Sequence, residues 1–297
     1  MKILIIKLGA AGDVVRTTTL LHLFKKDEVD WITSSDNSIL LKDNPFISKI
    51  FLFEKLQFAK MPEYDLVINL EDNFESAQIV SEIKFKELFG CYLENNRLIY
   101  TENSSKWFDL SLISRFGKQK ADDLKFENKL SFQELIFNSL GYEFKGEKYI
   151  LPSTPVTDLI GDIAISPKAG KRWPMKNWAY FDKLSNILRD KGFIVNFLPQ
   201  RPSMLEHLSD VRNHKLLISG DSLPMHFALG SNIRCLTFFL CTSANEIYDY
   251  GLQRKLISPL LKEFFYRQDF DERAVTVFSV EEVLEILIKE NLLPTKL

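Results

Sequence analysis

The sequence predicts an α/β protein with two domains in series, each an open sheet of parallel strands covered by helices. The chain has 297 residues, of which 45% are hydrophobic, enough for two domains of roughly 150 residues each. Short apolar runs without clean polar alternation recur along it, which is typical of strands buried on both faces. Helical or irregular segments separate these runs, as expected for strand–helix–strand units.

The first half opens with an aliphatic strand at residues 1–6, followed by a glycine-containing turn and a helix whose apolar residues lie near helical spacing. Further strands are predicted at residues 30–33, 49–53, 65–70 and 86–90. Glycine and proline interrupt all periodicity between residues 142 and 162. We therefore predict domains at residues 1–152 and 153–297.

The second half repeats this alternation. Strands are predicted at residues 162–166, 193–198, 215–219 and 234–240, and helices at residues 176–191, near 203–207 and at 222–229. Gly192 is placed just past the end of the first of these helices. Ser279 and Glu282 predict a capping box for a last amphipathic helix, 279–291, which we allow to pack back on the amino-terminal domain. Two such domains predict a binding cleft at the carboxyl ends of their strands.

Composition excludes several classes of protein. The 38 Lys and Arg against 40 Asp and Glu leave a net charge of -2, so we expect no nucleic-acid partner. The three cysteines lack C-x-x-C spacing and are predicted to be buried thiols in a reducing compartment. The apolar run before Lys7 is too short for a signal peptide, and no stretch approaches the ~20 apolar residues of a membrane span. We predict a cytoplasmic protein, with peripheral contact at the inner face of the membrane left open.

The stretch KLGAAGDVVRTTTLL places Gly9, Gly12 and Asp13 between the first strand and its helix. Glycines in such a turn let a ligand approach the backbone, and a helix amino terminus favours negative charge. The spacing matches neither G-x-G-x-x-G nor the phosphate-loop pattern. On these residues alone, a ligand turn and a tight turn with Asp13 as helix cap are equally good interpretations.

Two motifs in the second half contain candidate functional residues. The loop SPKAGKRWPMKNW follows a strand and carries four cations, which suit a diphosphate, while Trp173 and Trp178 are expected to anchor it. In SGDSLPMHFAL, Asp221 is expected to end a strand and Ser222 to cap the next helix. His226 lies on the same helix face as Ser222, although a lone histidine among apolar residues is more often structural. The cations are Lys168, Lys171, Arg172 and Lys176.

Other clusters have less specific interpretations. The acidic group Glu71, Asp72 and Glu75 follows a strand, and we favour a solvated or sugar-binding loop over a metal site. Residues 106–125 and 254–267 mix cations with aromatics, which suits a membrane surface. For both segments we favour ordinary half-buried helices.

Together the motifs resemble glycosyltransferase family 9, the ADP-heptose:lipopolysaccharide heptosyltransferases. GDVVRTTTLL is similar to the family's first signature, residues 169–174 with Trp178 to its second, and residues 221–226 to its third. The resemblance covers residue 1 to about residue 250. It implies a GT-B fold, with two facing Rossmann-like domains, the acceptor on the amino-terminal side and the nucleotide sugar mainly on the carboxyl-terminal side.

The resemblance also implies roles for single residues. Asp13 matches the family's catalytic base, and Lys171 matches a lysine that contacts the donor phosphates. The predicted donor-binding residues are Lys168, Asp221, Ser222, Leu223, His226 and Thr242. The residues predicted on the acceptor or phosphate side are Lys7, Gly9, Gly12 and Arg16.

The implied reaction is an inverting hexosyl or heptosyl transfer, with ADP-heptose as donor and a saccharide or lipid-linked saccharide as acceptor. We expect no cofactor and no metal, because cations and a helix terminus can stabilise the leaving diphosphate. Leu223, Leu240, Cys241 and Ala244 replace family glycines and prolines, and Lys168 stands where glycine is common, which leaves the donor open. The alternatives are a GT-B transferase with another nucleotide sugar and acceptor, and a non-catalytic nucleotide-sugar-binding protein.

Overall fold

A computed structural model describes residues 1–170 and 172–296, so the predicted phosphate-binding Lys171 lies outside the described residues. The chain divides into two compact units, Met1–Pro152 and Ser153–Leu297, called unit 1 and unit 2 below. Each unit contains its own sheet with helices along the chain between strands. The α/β class predicted from the sequence is confirmed.

Unit 1 contains a six-stranded sheet. Its strands are β1 (Lys2–Ile6), β2 (Glu28–Thr33), β3 (Lys49–Leu52), β4 (Tyr64–Asn69), β5 (Phe85–Glu94) and β6 (Arg97–Tyr100). Their order across the sheet is β3-β2-β1-β4-β5-β6. The helices are α1 (Ala11–Thr17), α2 (Phe74–Glu82), α3 (Ser105–Phe108), α4 (Gly117–Glu127) and α5 (Phe132–Ser139).

The central strands of unit 1 are parallel and buried, as their uninterrupted apolar runs predict. Ile3 of β1 pairs with Val29 of β2 on one side and with Leu66 of β4 on the other. The edge strand β6 runs antiparallel to β5 and was not predicted. Asn95 and Asn96 join these two strands with φ values of 50° and 60°, a backbone that asparagine tolerates in tight hairpins.

Unit 2 contains a five-stranded sheet in which all neighbouring strands are parallel. Its strands are β7 (Ile163–Ser166), β8 (Val195–Phe197), β9 (Leu216–Gly220), β10 (Arg234–Phe239) and β11 (Gln253–Ile257). The order is β11-β10-β9-β7-β8. The helices are α6 (Phe181–Asp190), α7 (Met204–Arg212), α8 (Leu223–Gly230), α9 (Leu261–Phe264), α10 (Glu272–Val275) and α11 (Val280–Lys289).

Helix boundaries in unit 2 follow local chemistry. Residues 174–176 form a separate 3₁₀ turn, so the helix predicted from residue 176 begins at Phe181 instead. Gly192 follows the end of α6 with a φ of 86°, as predicted. The predicted capping box of Ser279 and Glu282 starts α11.

The apolar face of the last helix is buried within unit 2. Val280, Val283 and Leu287 of α11 belong to the core cluster that also contains Trp178 and Phe238. The apolar face of α11 therefore packs in the core of its own unit, unit 2. Along residues 1–170 and 172–296, no helix combines the length and the hydropathy that crossing a bilayer requires.

Candidate active site

In each sheet the strand order changes direction beside the first strand of the unit. From β1 the chain adds β2 and β3 on one side and then β4 on the other, so the change falls between β1 and β4. In unit 2 the change falls between β7 and β9 for the same reason. Ligands of open α/β sheets bind beyond the carboxyl ends of the strands at such a switch point. The segments that follow these four strands are therefore the candidate site.

Four charged side chains meet beyond β1 and β4. Lys7 Nζ lies 2.9 Å from Glu71 Oε1 and 3.9 Å from Asp13 Oδ2. Arg16 Nη2 lies 2.8 Å from Asp13 Oδ1. The structure thus brings together Lys7, Asp13 and Arg16, three of the predicted residues, with Glu71 as a fourth member.

Asp13 does not cap its helix. Helix α1 begins at Ala11 after Ala10, and no side chain caps it, so Asp13 lies inside the first turn. Its carboxylate oxygens are held by Lys7 and Arg16, and 33% of the side chain is exposed. The capped-turn interpretation of this stretch is therefore wrong. A partly exposed carboxylate at the switch point can meet a substrate.

Arg16 is a half-buried residue of the site and not a surface arginine. Only 12% of its side chain is exposed. Its guanidinium carbon lies 3.8 Å from the ring centroid of Phe132, at the start of α5, which is a close cation–π contact. The ring and the Asp13 carboxylate together fix the guanidinium.

The two glycines of the first motif lie in different structures. Gly9 is in the loop after β1, whereas Gly12 is the second residue of α1. A Cβ atom added at Gly9 would lie 3.4 Å from Asn37 Nδ2, which is an ordinary contact. Their predicted closeness to a ligand remains a prediction, because the backbone alone does not demand glycine at Gly9.

A second cluster forms beyond β9 in unit 2. Lys176 Nζ donates hydrogen bonds to Asp221 Oδ2 at 2.8 Å and to the Asp221 backbone carbonyl at 2.9 Å. Thr242 Oγ1 donates to the same carboxylate at 2.8 Å. The side chains of Lys176 and Asp221 are each 14% exposed, and Thr242 is 2% exposed. The predicted residues Asp221 and Thr242 therefore meet directly, and Lys176 binds the same carboxylate.

Asp221 is ionised in spite of its burial. Desolvation by itself raises the pKa of a buried carboxyl. The charge and hydrogen bond of Lys176 oppose this most strongly, followed by the charge of His226 and the hydrogen bond of Thr242. Together they lower the pKa of Asp221 to about 2.

The start of α8 differs in part from the prediction. Ser222 occupies the position before the helix, but its hydroxyl donates to the carbonyl of Gly220 at 3.4 Å and does not cap the helix. Its backbone is fully extended, with φ of -154° and ψ of 175°. Leu223 is the half-buried first residue of α8, and His226 is 5% exposed in the same helix.

Two tryptophans anchor the basic loop after β7, as predicted. Trp178 stacks on Phe238 with ring centroids 4.6 Å apart, and its Nε1 donates to the Phe278 carbonyl at 2.9 Å. Trp173 meets Tyr266 edge to face at 5.3 Å. The predicted donor residue Lys168 is exposed at the start of this loop.

The unusual residues before Thr242 are core residues. Leu240 belongs to the main apolar cluster of unit 2, and Cys241 packs in a smaller one with Met175 and Phe264. Large side chains are therefore accommodated on the inner side of this segment. Burial raises the pKa of the Cys241 thiol to about 11.

Sequence reasoning missed Phe132 and the partners of Glu71 and Lys176. Glu71 is only 8% exposed and is therefore not solvated, whereas Glu75 is exposed. The sugar-binding alternative for this loop stays a prediction. The acidic group and the basic run both contained the right residues, but no local pattern indicated their partners. Within the described part of the chain, His, Cys, Asp and Glu side chains form no group of three or more that could hold a metal ion.

Comparisons with known proteins cover nearly the whole chain. No family model matches the sequence. The chain is 32% identical to lipopolysaccharide heptosyltransferase 1 of Campylobacter coli, with 98% of each chain covered. It resembles the solved structure of a glycosyl transferase family 9 protein from Veillonella parvula, with a TM-score of 0.66, 16% identity, and 98% and 97% of the two chains covered. It also resembles E. coli heptosyltransferase WaaC with ADP-2-deoxy-2-fluoro heptose, with a TM-score of 0.58, 14% identity, and 98% and 100% covered.

Proposed function

The chain belongs to glycosyltransferase family 9, the heptosyltransferases, with their GT-B fold, and we propose that it transfers a heptose from ADP-heptose to a hydroxyl of a lipopolysaccharide-core or related saccharide acceptor. The identity with a lipopolysaccharide heptosyltransferase supports the choice of donor and acceptor. The observation that carries the mechanism is the partly exposed Asp13 carboxylate at the switch point of unit 1.

Asp13 is the general base of this reaction. The acceptor oxygen attacks the anomeric carbon from the face opposite the ADP group, and its proton passes to the Asp13 carboxylate. The bond between the anomeric carbon and the phosphate oxygen breaks, and its electron pair leaves with ADP. The anomeric configuration is therefore inverted. A carboxylate is a weak base at neutral pH, so the proton moves as the attack advances.

Unit 2 holds the donor. Lys176 lies beyond the switch point between β7 and β9, where its side chain is fixed by Asp221, whose carboxylate also accepts from the buried Thr242. Lys168 is exposed in the same loop, and Lys171 belongs to it in sequence. Clustered cations stabilise the charge that develops on a leaving diphosphate, so this mechanism needs no metal ion.

Arg16 helps to hold an anionic acceptor. A guanidinium has five N–H donors, so one side chain can bond to Asp13 and to a sugar carboxylate or phosphate at the same time. Stacking on Phe132 keeps its plane in place. Lys7 adds a second cation at the same carboxylate.

A lipid-linked acceptor implies contact with a membrane surface, and residues 112–120 supply it. Leu112 and Phe116 are 54% and 55% exposed, and Arg115, Lys118 and Lys120 are exposed beside them. Apolar residues among cations suit an anionic lipid surface. By contrast, Phe264 is fully buried in residues 254–267, where strand β11 and the short helix α9 (Leu261–Phe264) stand in place of the half-buried helix predicted there.

Sedimentation with phosphatidylglycerol vesicles checks the membrane contact. Replacing Leu112 and Phe116 by Glu is expected to reduce the bound fraction, because two charges would enter the interface. Val156→Glu, at a position that is 99% exposed in unit 2, is the matched control and should bind like wild type. Equal binding by all three proteins would exclude this surface.

The proposed reaction is tested by measuring nucleotide release from a panel of ADP-, UDP- and GDP-sugars, with and without a lipopolysaccharide-core acceptor and in the presence of EDTA. We expect ADP release from ADP-heptose that depends on the acceptor and is unchanged by EDTA. Magnetic resonance of the product should show an inverted anomeric centre. A protein that turns over none of these donors would contradict the proposal.

Leu223 is the reason to test two other functions with the same panel of nucleotide sugars. A side chain at this family glycine position alters the space where the donor phosphates approach α8. Turnover of a different nucleotide sugar would identify a GT-B transferase with another donor. Binding of a nucleotide sugar without turnover would identify a non-catalytic binding protein.

A further inference from the structure

Glu71 is a buried carboxylate at the switch point of unit 1. It follows β4 by two positions, and its side chain is 10% exposed. Its backbone amide donates to Asn69 Oδ1 at 3.2 Å, and Asn69 Nδ2 donates to the Cys91 carbonyl at 2.8 Å. The residue is therefore fixed from the sheet itself.

One oxygen of Glu71 meets three consecutive residues of the loop after β1. Oε1 accepts hydrogen bonds from the amides of Leu8 at 2.6 Å and Gly9 at 3.2 Å, and it pairs with Lys7 Nζ at 2.9 Å. A buried carboxylate is stable only with such partners. Glu71 thus organises the segment that leads directly to Asp13.

The same loop is held from its other side. Asn37 Nδ2 donates to the Leu8 carbonyl at 2.7 Å, and Trp31 Nε1 donates to the Lys7 carbonyl at 3.3 Å. Amides and carbonyls of residues 7–9 are therefore both bonded to side chains from elsewhere in unit 1. These hydrogen bonds from side chains, and not the presence of Gly9, hold the loop in place.

Lys7 lies between two carboxylates at unequal distances. Its Nζ is 2.9 Å from Glu71 and 3.9 Å from Asp13. Coulomb attraction grows as the distance falls, so Glu71 takes the larger share of this charge. Without Glu71, the nearest anion for Lys7 among these residues is Asp13.

We propose that Glu71 is a positioning residue for the transfer reaction, because it holds Lys7 back from Asp13 and fixes the loop that carries Lys7 and leads to Asp13. This inference rests on the proposed role of Asp13 as the base. A closer Lys7 would stabilise the Asp13 carboxylate and make it a poorer proton acceptor.

The charged groups around Asp13 define what a pH profile reports. Lys7 comes from the loop after β1, Arg16 from α1 itself and Glu71 from the segment after β4. On α5, the Glu134 carboxylate bonds to the Ser131 amide in a capping box. At the end of the 3₁₀ segment that follows α1, His22 bonds to the Lys148 carbonyl. Asn37, which bonds to the Leu8 carbonyl, and Phe132, which lies against Arg16, are uncharged.

The test is the pH profile of kcat for Glu71→Gln, with Asp13→Asn as reference. We expect kcat to fall about tenfold and the acidic limb to move down by at least about 0.5 pH unit, with the donor KM unchanged. Glu75→Gln removes an exposed acid nearby and should leave both unchanged. A merely structural role would lower kcat without moving the limb.

If a folded Glu71→Gln protein has the kcat of wild type and the same acidic limb in its pH profile, the inference is overturned. If Asp13→Asn is inactive in that case, the proposed function stands without it. If Asp13→Asn keeps full activity, the proposed base itself is wrong.

Should Glu71→Gln fail to fold, the double variant Lys7→Met/Glu71→Gln removes both members of the buried pair. Its acidic limb is expected above the wild-type limb, and an unchanged limb would overturn the inference.

Discussion

Charged side chains at both switch points are buried in opposite-charge pairs. Lys7 pairs with Glu71 beyond β1 and β4, and Lys176 pairs with Asp221 beyond β9. Desolvating one ion costs several kcal/mol unless its partner has good geometry and further hydrogen bonds. Asp221 meets this condition through Thr242, and Glu71 meets it through the amides of Leu8 and Gly9. Each pair therefore positions a functional group without leaving an isolated buried charge.

The low pKa of Asp221 predicts a pH-dependent stability. Its pKa of about 2 lies below the ordinary value of 3.8 for an aspartate, so the stabilisation is fully present above about pH 4. It amounts to about 2 kcal/mol and is lost as pH falls through the folded pKa. Urea unfolding of wild type and Asp221→Asn should therefore give a free-energy difference that shrinks between pH 5 and pH 3. A constant difference over that window would contradict the assignment.

The sequence predicts some of these residues and not others. Asp13 and Asp221 stand in motifs that resemble a known family, so their positions were predictable. The pairings of Glu71 and Lys176 were not predictable, because each residue meets a partner far along the chain. Leu8 and Glu71 are 63 residues apart, and Lys176 and Asp221 are 45 apart. Only the strand order brings such pairs to one switch point.

At the level of elements, the end of β9 packs directly against the turn at residues 174–176. A Cβ atom added at Gly220 would lie 2.4 Å from the carbonyl oxygen of Lys176, closer than real Cβ contacts allow. The obstacle is backbone, which cannot rotate away as a side chain does. Glycine at the end of β9 thus lets the turn bring Lys176 to Asp221.

Gly220→Ala is accordingly expected to destabilise the protein by about 1–3 kcal/mol, because the turn must move. It should also weaken ADP binding, since the displaced Lys176 loses its contact with Asp221. Gly170→Ala is the control for stability, because a Cβ atom there meets open space. Thermal unfolding and calorimetric ADP titration check both. Equal stability of the two variants would show that the contact is not tight.

Element types were predictable where apolar runs were long, as in β1, β4, β9 and β10. Edge strands were less predictable: β6 and β11 have burial patterns of mixed exposure and lack a clear apolar run. The start of α6 was placed five residues early, because Pro174 and the tryptophans make a compact turn of their own. Packing between elements decided these cases.

For the whole molecule, each unit supplies one half of the proposed reaction. Unit 1 contributes the base and its positioning pair, and unit 2 contributes the cations and the buried carboxylate of the donor site. The two-domain α/β class followed from length, apolar runs and a Gly/Pro-rich boundary segment. Composition and periodicity gave no indication of the donor, which came from the resemblance and from the 32% identical relative.

The most direct test of the central claim is the acceptor-dependent rate of ADP release from ADP-heptose by wild type and by Asp13→Asn, measured side by side. Asn keeps the size of the side chain but cannot accept the proton of the acceptor hydroxyl. We expect the variant to be at least about 100-fold slower, with an unchanged affinity for ADP because the proposed donor residues lie in unit 2. An Asp13→Asn protein that releases ADP at the wild-type rate would contradict the assignment of Asp13 as the catalytic base.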